Sequence, residues 1–323
     1  MTFLAMIIAL LLLQAWGSGE RVHSDDWFRG FSRRLADAGF SGGLGIAVAV
    51  LAPAVVVQLL LGSIESVLFG LPWIAFATFL LLYAMGRGDF RTMLDRYRHQ
   101  CRHDDFEAAY LTTVSELGWV GSGDNPGSPA EVHRLVQRGV LYEGSQRWFA
   151  VLFYFVLLGP AGALGYRLLQ LSRDAFDTES VDRFLLFADW LPARLLAAAF
   201  SLTGDFVGSR DELVQECINV QVAAPDLLQS VARASLGRNE KDLQTDTGFS
   251  SVAEQQIDET ASLLFRSAIC WGVIVSLLVQ FTCREGRSAP RANFPVAAKL
   301  RSASPIRKQL SAFIRVHARR NSS

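Results

Sequence analysis

Five separate stretches of this chain carry no charged side chain over roughly the length needed to cross a bilayer: Met1 to Gly19, Gly43 to Gly62, Val67 to Gly86, Trp148 to Tyr166 and Ser267 to Cys283. A helix that spans the hydrocarbon core needs about 20 apolar residues, and a central Asp, Lys or Arg costs roughly 2.5 to 3.5 kcal/mol. Buried helices of water-soluble proteins rarely repeat such blocks between polar loops. The expected architecture is therefore all-α: a polytopic helical membrane protein with about four to six transmembrane helices and small helical soluble layers.

Composition agrees. Half of the 323 residues are hydrophobic and only 19% are charged, below the quarter typical of soluble domains. The 31 basic and 31 acidic residues cancel, so no global field points to nucleic acid. The four cysteines form neither a CxxC pair nor a zinc spacing. No Walker-type loop, GxGxxG, HExxH or GxSxG occurs, so neither a cofactor nor a metal is expected.

Read along the chain, residues 1–86 hold an N-terminal span and a transmembrane hairpin that turns at Ser63-Ile64-Glu65-Ser66. Arginines flank the hairpin at Arg33, Arg34, Arg87 and Arg91 but not its turn, which places both flanks in the cytoplasm by the positive-inside rule. Residues 87–147 read as a polar helical region, also cytoplasmic. Residues 148–283 form the membrane core. Its first element, Trp148 to Tyr166, is expected to span with a kink or break at Gly159-Pro160, because proline removes a backbone donor. The run FADWLPARL within Phe184 to Ser201 spans, re-enters or lies on the surface. Residues 203–260 hold eleven acidic and four basic residues, and the tail 284–323, expected to be disordered, holds ten basic and one acidic. The positive-inside rule places the tail in the cytoplasm, where anionic headgroups offer it one partner; strict alternation puts the tail outside if the 184–201 element spans, and puts the 203–260 region outside if it does not.

Within this framework Asp189 and Arg194 are the leading candidates for function, because ionisable residues in an apolar element face a protein interior or a water-filled cavity. The alternative is an interfacial helix whose charged tips reach water as anchors. A second group lies in the 87–147 region, where Arg102, Asp105 and Glu107 form a charge cluster at a helix start, with Asp105 as N-cap for the helix from Phe106. His99 and His103 share a helical face while Cys101 points away, so this HxCxH pattern reads as solvated surface.

Several blocks resemble one family: RHDDFEAA at 102–109, QRWFAVLFYFVLLGPAGALGYRL at 146–168, VDRFLLFADWLPARLLAAAFSLTGDF at 181–206 and VARASLG at 231–237. Together they are similar to AmpE, the beta-lactamase regulator family. The resemblance implies a Gram-negative inner-membrane protein, with no demonstrated catalysis, that acts with a cytoplasmic muropeptide amidase and a cell-wall-derived ligand to signal cell-wall state to beta-lactamase expression. It directs attention to Arg147, Tyr166, Arg167, Asp189, Pro192 and Arg194 as residues lining or anchoring the relevant site. The DWLPAR segment is also similar to the membrane synthase that joins aminopropanol phosphate to the corrin ring, which implies an enzyme, or a transporter of a polar small molecule, as the alternative. That synthase has an Asn-Thr-Leu-Asp-Ser-Met type segment where this chain reads RLLQLSRDAFDTESVDRF, a departure that counts against catalysis.

Overall fold

The apolar stretches become helices because a helix satisfies every backbone group within its own segment, as hydrocarbon demands. In a computed structural model, which describes residues 2–16, 25–40, 42–64, 70–85, 90–117, 126–219, 221–238 and 249–288, all regular structure among the described residues is helical. Residues 1–276 make up one compact unit and residues 277–323 a second. The 289–323 part of the basic tail lies outside the described residues, as do residues 65 and 66 of the hairpin turn.

The helices are α1 Thr2–Trp16, α2 Asp26–Asp37, α3 Gly42–Ile64, α4 Leu71–Met85, α5 Phe90–Arg102, α6 Phe106–Leu117, α7 Pro129–Gly144, α8 Val151–Leu158, α9 Pro160–Leu171, α10 Thr178–Thr203, α11 Phe206–Ile218, α12 Ala224–Ser235 and α13 Phe249–Ser288. Among the described residues four segments are long and apolar enough to cross a membrane, Gly42–Ile64, Leu71–Arg102, Thr178–Thr203 and Phe249–Leu277, with a shorter apolar helix at Thr2–Leu13. Leucines and valines along α3, including Leu51, Val55 and Leu59, are exposed, as expected of a surface that meets lipid.

The polar helices build a separate core. Leu94 and Tyr97 of α5, Val132, Val136 and Val140 of α7, Leu196 and Phe200 of α10, Leu227, Leu228 and Val231 of α12 and Ile257 of α13 pack together. Local sequence signals set the helix starts. Ser128 accepts from the Glu131 amide at 3.3 Å while Glu131 Oε2 accepts from the Gly127 amide at 2.7 Å, a reciprocal cap ahead of Pro129. Asp205 takes the amides of Val207 and Gly208. Helix α13 begins at Phe249, well before the uncharged stretch from Ser267. Its first turns belong to this polar layer, tied by Arg98 to Asp258 and by Arg238 to Glu259 at 2.7 Å.

The stretch from Trp148 to Tyr166 corrects an expectation: it does not cross as one span. A π-helical segment, Ser145–Ala150, joins α7 to α8, and the chain then reverses at Gly159. The rings of Tyr154 and Tyr166 stack with centroids 5.2 Å apart, whereas twelve residues of straight helix would separate them by about 18 Å. Gln170 Nε2 likewise reaches the carbonyl of Gln146 at 3.3 Å. The turn uses Gly159 at φ 77° and ψ −168°, a conformation essentially reserved for glycine, and Pro160 opens α9 where its missing N–H is harmless. A Cβ on Gly162 would lie 2.4 Å from Leu158 Cβ, so the two arms touch. The return arm α9 is only 12 residues long, about 18 Å, against the roughly 30 Å of a hydrocarbon layer, so this segment is a helical hairpin and not one long helix.

Candidate functional site

Asp189 sits near the middle of α10 and is 3% exposed. A carboxylate taken out of water requires donors, and three side chains supply them. Tyr166 donates to Oδ1 at 2.5 Å, and Tyr142 and Gln146 Nε2 donate to Oδ2 at 2.6 and 2.8 Å. Gln146 Nε2 also donates to the Tyr142 hydroxyl at 2.7 Å. The donors come from the end of α7, the π segment and α9, so one side chain of α10 ties together the polar layer and both arms of the hairpin.

Pro192 adds a second tie. Without an amide hydrogen it leaves the carbonyl of Ala188, four residues back, with no helical donor, and the Tyr154 hydroxyl donates to that carbonyl at 2.8 Å. Since Tyr154 stacks on Tyr166, the tyrosine that serves the orphan carbonyl buttresses the one that serves Asp189.

The network continues to the edge of the membrane layer. Gln170, which holds the Gln146 carbonyl, has Arg167 Nη1 3.5 Å from its Oε1. Arg167 is itself buried and pairs with Asp25 at 3.0 Å. Asp25 accepts from Tyr83 at 2.9 Å, and Tyr83 accepts from the Trp27 indole at 3.1 Å.

Of the six residues singled out from the sequence, the structure brings Tyr166, Asp189, Pro192 and Arg167 into this one network. Arg194 goes elsewhere. It donates to the carbonyls of Cys217 and Asn219 at 3.3 and 3.0 Å and lies over the Trp190 ring at 4.3 Å. It thus serves the carbonyl end of α11, where a cation is favoured, and makes no ion pair with Asp189. Arg147 pairs with Glu143 at 3.1 Å and lies 5.7 Å from the Phe90 ring centre. Arg102, Asp105 and Glu107 do not converge: Arg102 pairs with Glu254 of α13, Asp105 caps α6 through the Ala108 amide at 3.0 Å, and Glu107 is exposed in the first turn. Among the described residues no three His, Cys, Asp or Glu side chains gather as a metal site.

Sequence reasoning missed Tyr142, Gln146, Tyr154, Gln170 and Asp25. A signal existed for Tyr154, because Pro192 implies an orphan carbonyl that some hydroxyl must serve. None existed for Tyr142, whose partner lies 47 positions away.

A second buried polar cluster lies in the helical layer. His133 is fully buried, with Nδ1 2.7 Å from the Tyr97 hydroxyl and Nε2 3.1 Å from Gln256 Oε1. The amide oxygen only accepts, so the proton sits on Nε2 and Tyr97 donates to Nδ1. Burial, reinforced by the Arg238 charge and opposed by the bond to Gln256, lowers the imidazole pKa from 6.5 to about 4.

Helices long and apolar enough to cross a membrane, a helical hairpin and a buried carboxylate held by tyrosines define a multi-pass helical membrane protein with an internal polar site. The match to known families is equally specific. The chain belongs to the AmpE family, described as regulatory signalling modulator proteins, whose family model matches residues 1–275. It is 25% identical to "Protein AmpE" of Shigella flexneri over 218 residues, 63% of this chain and 75% of that protein. It is also 29% identical to "Cobalamin biosynthesis protein CobD" of Stutzerimonas stutzeri over 219 residues, 62% of this chain and 70% of the relative. A second CobD, from Chromobacterium violaceum, is 32% identical over 136 residues, 39% of this chain and 42% of that protein. No solved structure matches the chain.

Proposed function

We propose that this protein is an inner-membrane regulator that links cell-wall recycling to beta-lactamase induction, with a cytoplasmic muropeptide amidase as partner and a cell-wall-derived small molecule as signal. Membership of the AmpE family supports the regulatory role. The observation that carries the mechanism is the continuous helical path of residues 129–158, from the polar layer through the π segment to the hairpin tip, with Gln146 on Asp189. A change at the membrane end of such a path reaches the polar layer without crossing a flexible joint, and π segments frequently mark functional positions. The site is Tyr142, Gln146, Tyr166, Arg167 and Asp189, with Pro192 and Tyr154 holding its geometry. Arg147 and Arg194 anchor neighbouring elements.

Deleting the gene should change beta-lactam-induced expression or the muropeptide pool. Restoring the wild-type chain should reverse the change, and Asp189→Asn should not, at equal amounts of membrane-extracted protein. An unchanged induction profile and unchanged pools in the deletion strain would sink the proposal.

The similarity to CobD proteins over 219 residues favours a second reading, a membrane enzyme that uses the same buried site. Growth of a strain lacking the corrin-ring synthase on a plasmid copy of this chain would establish it, and failure at confirmed expression would remove it.

A further inference from the structure

Helix α2 starts beside the end of α9, where Asp25 pairs with Arg167 and Arg29 with Asp174, and its location is fixed at both ends. Asp25, just before its first turn, is held by Tyr83, two residues before α4 ends at Met85, and by Arg167. Phe28 is buried beneath it, and α3 begins at Gly42 soon after α2 ends at Asp37. Helix α2 therefore lies where α3 enters and α4 leaves the hydrocarbon, at headgroup depth. Two exposed aromatic rings bracket it, Trp27 at 46% and Phe40 at 37%, and such rings favour the bilayer interface.

Neighbouring arginines have carboxylate partners: Arg29 with Asp174 at 3.4 Å, Arg167 with Asp25, Arg173 with Asp182 at 3.0 Å and Arg183 with Glu179 at 2.5 Å. Arg33 and Arg34 differ. Both are exposed, and neither guanidinium has an ion-pair or hydrogen-bond partner among the described residues. Arg34 shares the face of Trp27 at a seven-residue spacing. Guanidinium groups match phosphate oxygens in a bidentate fork, and basic side chains at this depth are drawn to anionic lipid.

We propose that Arg33 and Arg34 bind the phosphate of an anionic phospholipid, with Trp27 and Phe40 seated beside its glycerol and upper acyl region. The membrane itself supplies this ligand at the depth where the two arginines lie, which a dissolved anion does not. The contact fixes α2 against the bilayer surface and thereby supports Asp25, the outer end of the network that leads to Asp189.

The test compares thermal unfolding of the full chain in nanodiscs of phosphatidylcholine alone and of phosphatidylcholine with phosphatidylglycerol. Phosphatidylglycerol should raise the melting temperature of the wild type, the rise should shrink at high salt, and Arg33→Gln/Arg34→Gln should lose more than half of it. The double variant should match the wild type in phosphatidylcholine, which establishes that it folds, and Arg210→Gln on α11 should retain the full rise. No rise in the wild type, or an equal rise in the double variant, overturns the proposal. So does an equal rise from inorganic phosphate added to phosphatidylcholine discs, which would show a site for a free anion.

Discussion

The hydroxyl of Tyr154 fills the hydrogen-bond position that Pro192 vacates. Pro192 cannot donate to the Ala188 carbonyl, and Tyr154, from α8, donates to it at 2.8 Å. Ala188 is half-buried, and a carbonyl shielded from water and left without a donor costs about 1–3 kcal/mol. Tyr154→Phe should therefore lower stability by that order, and Pro192→Ala, which restores the helical donor, should remove most of the penalty. Thermal unfolding of both single variants and the double variant measures the coupling. Additive losses would show that the two residues act independently.

The reversal at Gly159 should tolerate no side chain. At φ 77° and ψ −168° a Cβ brings strain of about 1–3 kcal/mol, and a straightened helix would separate Tyr154 from Tyr166. Gly159→Ala should reduce the amount of folded protein extracted from membranes. A disulfide formed between cysteines placed at 154 and 166 in the wild type would report the hairpin directly, and it should be lost in the alanine variant.

Arg194 and Asp189 should prove energetically separate despite their closeness in sequence. Arg194→Met should speed hydrogen exchange at the end of α11, around Cys217 to Asn219, and leave exchange around Tyr142 unchanged. Asp189→Asn should do the reverse, because asparagine presents donors where Asp189 accepts three hydrogen bonds. Stability losses of the double variant should add within about 0.5 kcal/mol.

Acid should weaken the polar layer through His133. Its pKa is about 4 in the folded chain against an ordinary 6.5, so between those values the unfolded chain takes up a proton that the folded chain refuses. The neutral ring's full contribution is present above pH 6.5 and is lost as pH falls toward 4, by about 3 kcal/mol in all. The melting temperature should drop across that window more steeply for the wild type than for His133→Gln. Parallel profiles would show that His133 is not responsible.

Much of this architecture follows from local composition. Uncharged runs such as Gly43 to Gly62 leave a helix in lipid as their physical outcome, and Gly159-Pro160 announces a break in whatever helix carries it. Asp105 and Asp205 mark helix starts because a short acidic side chain before an apolar run meets the free amides of the first turn. Whether Gly159 bends a span or reverses it was not legible locally. The answer depends on Tyr154 stacking on Tyr166 and on Gln170 reaching Gln146, and these contacts have no sequence period.

The candidate site divides along the same line. Its ionisable centre was visible in the sequence, since a charge such as Asp189 in an apolar helix must find partners. Arg194 looked equivalent, because sequence proximity does not reveal which way a side chain leaves a helix. Tertiary structure turned Asp189 toward three donors from distant elements and Arg194 toward the end of α11. The sequence by itself determined that this chain forms membrane helices and where charge would be costly, because hydrophobic transfer and backbone satisfaction depend on neighbours a few residues away. Only the fold decided how those costs are offset, because the donors that satisfy Asp189 and Ala188 come from residues dozens of positions away and meet them only once the helices have packed.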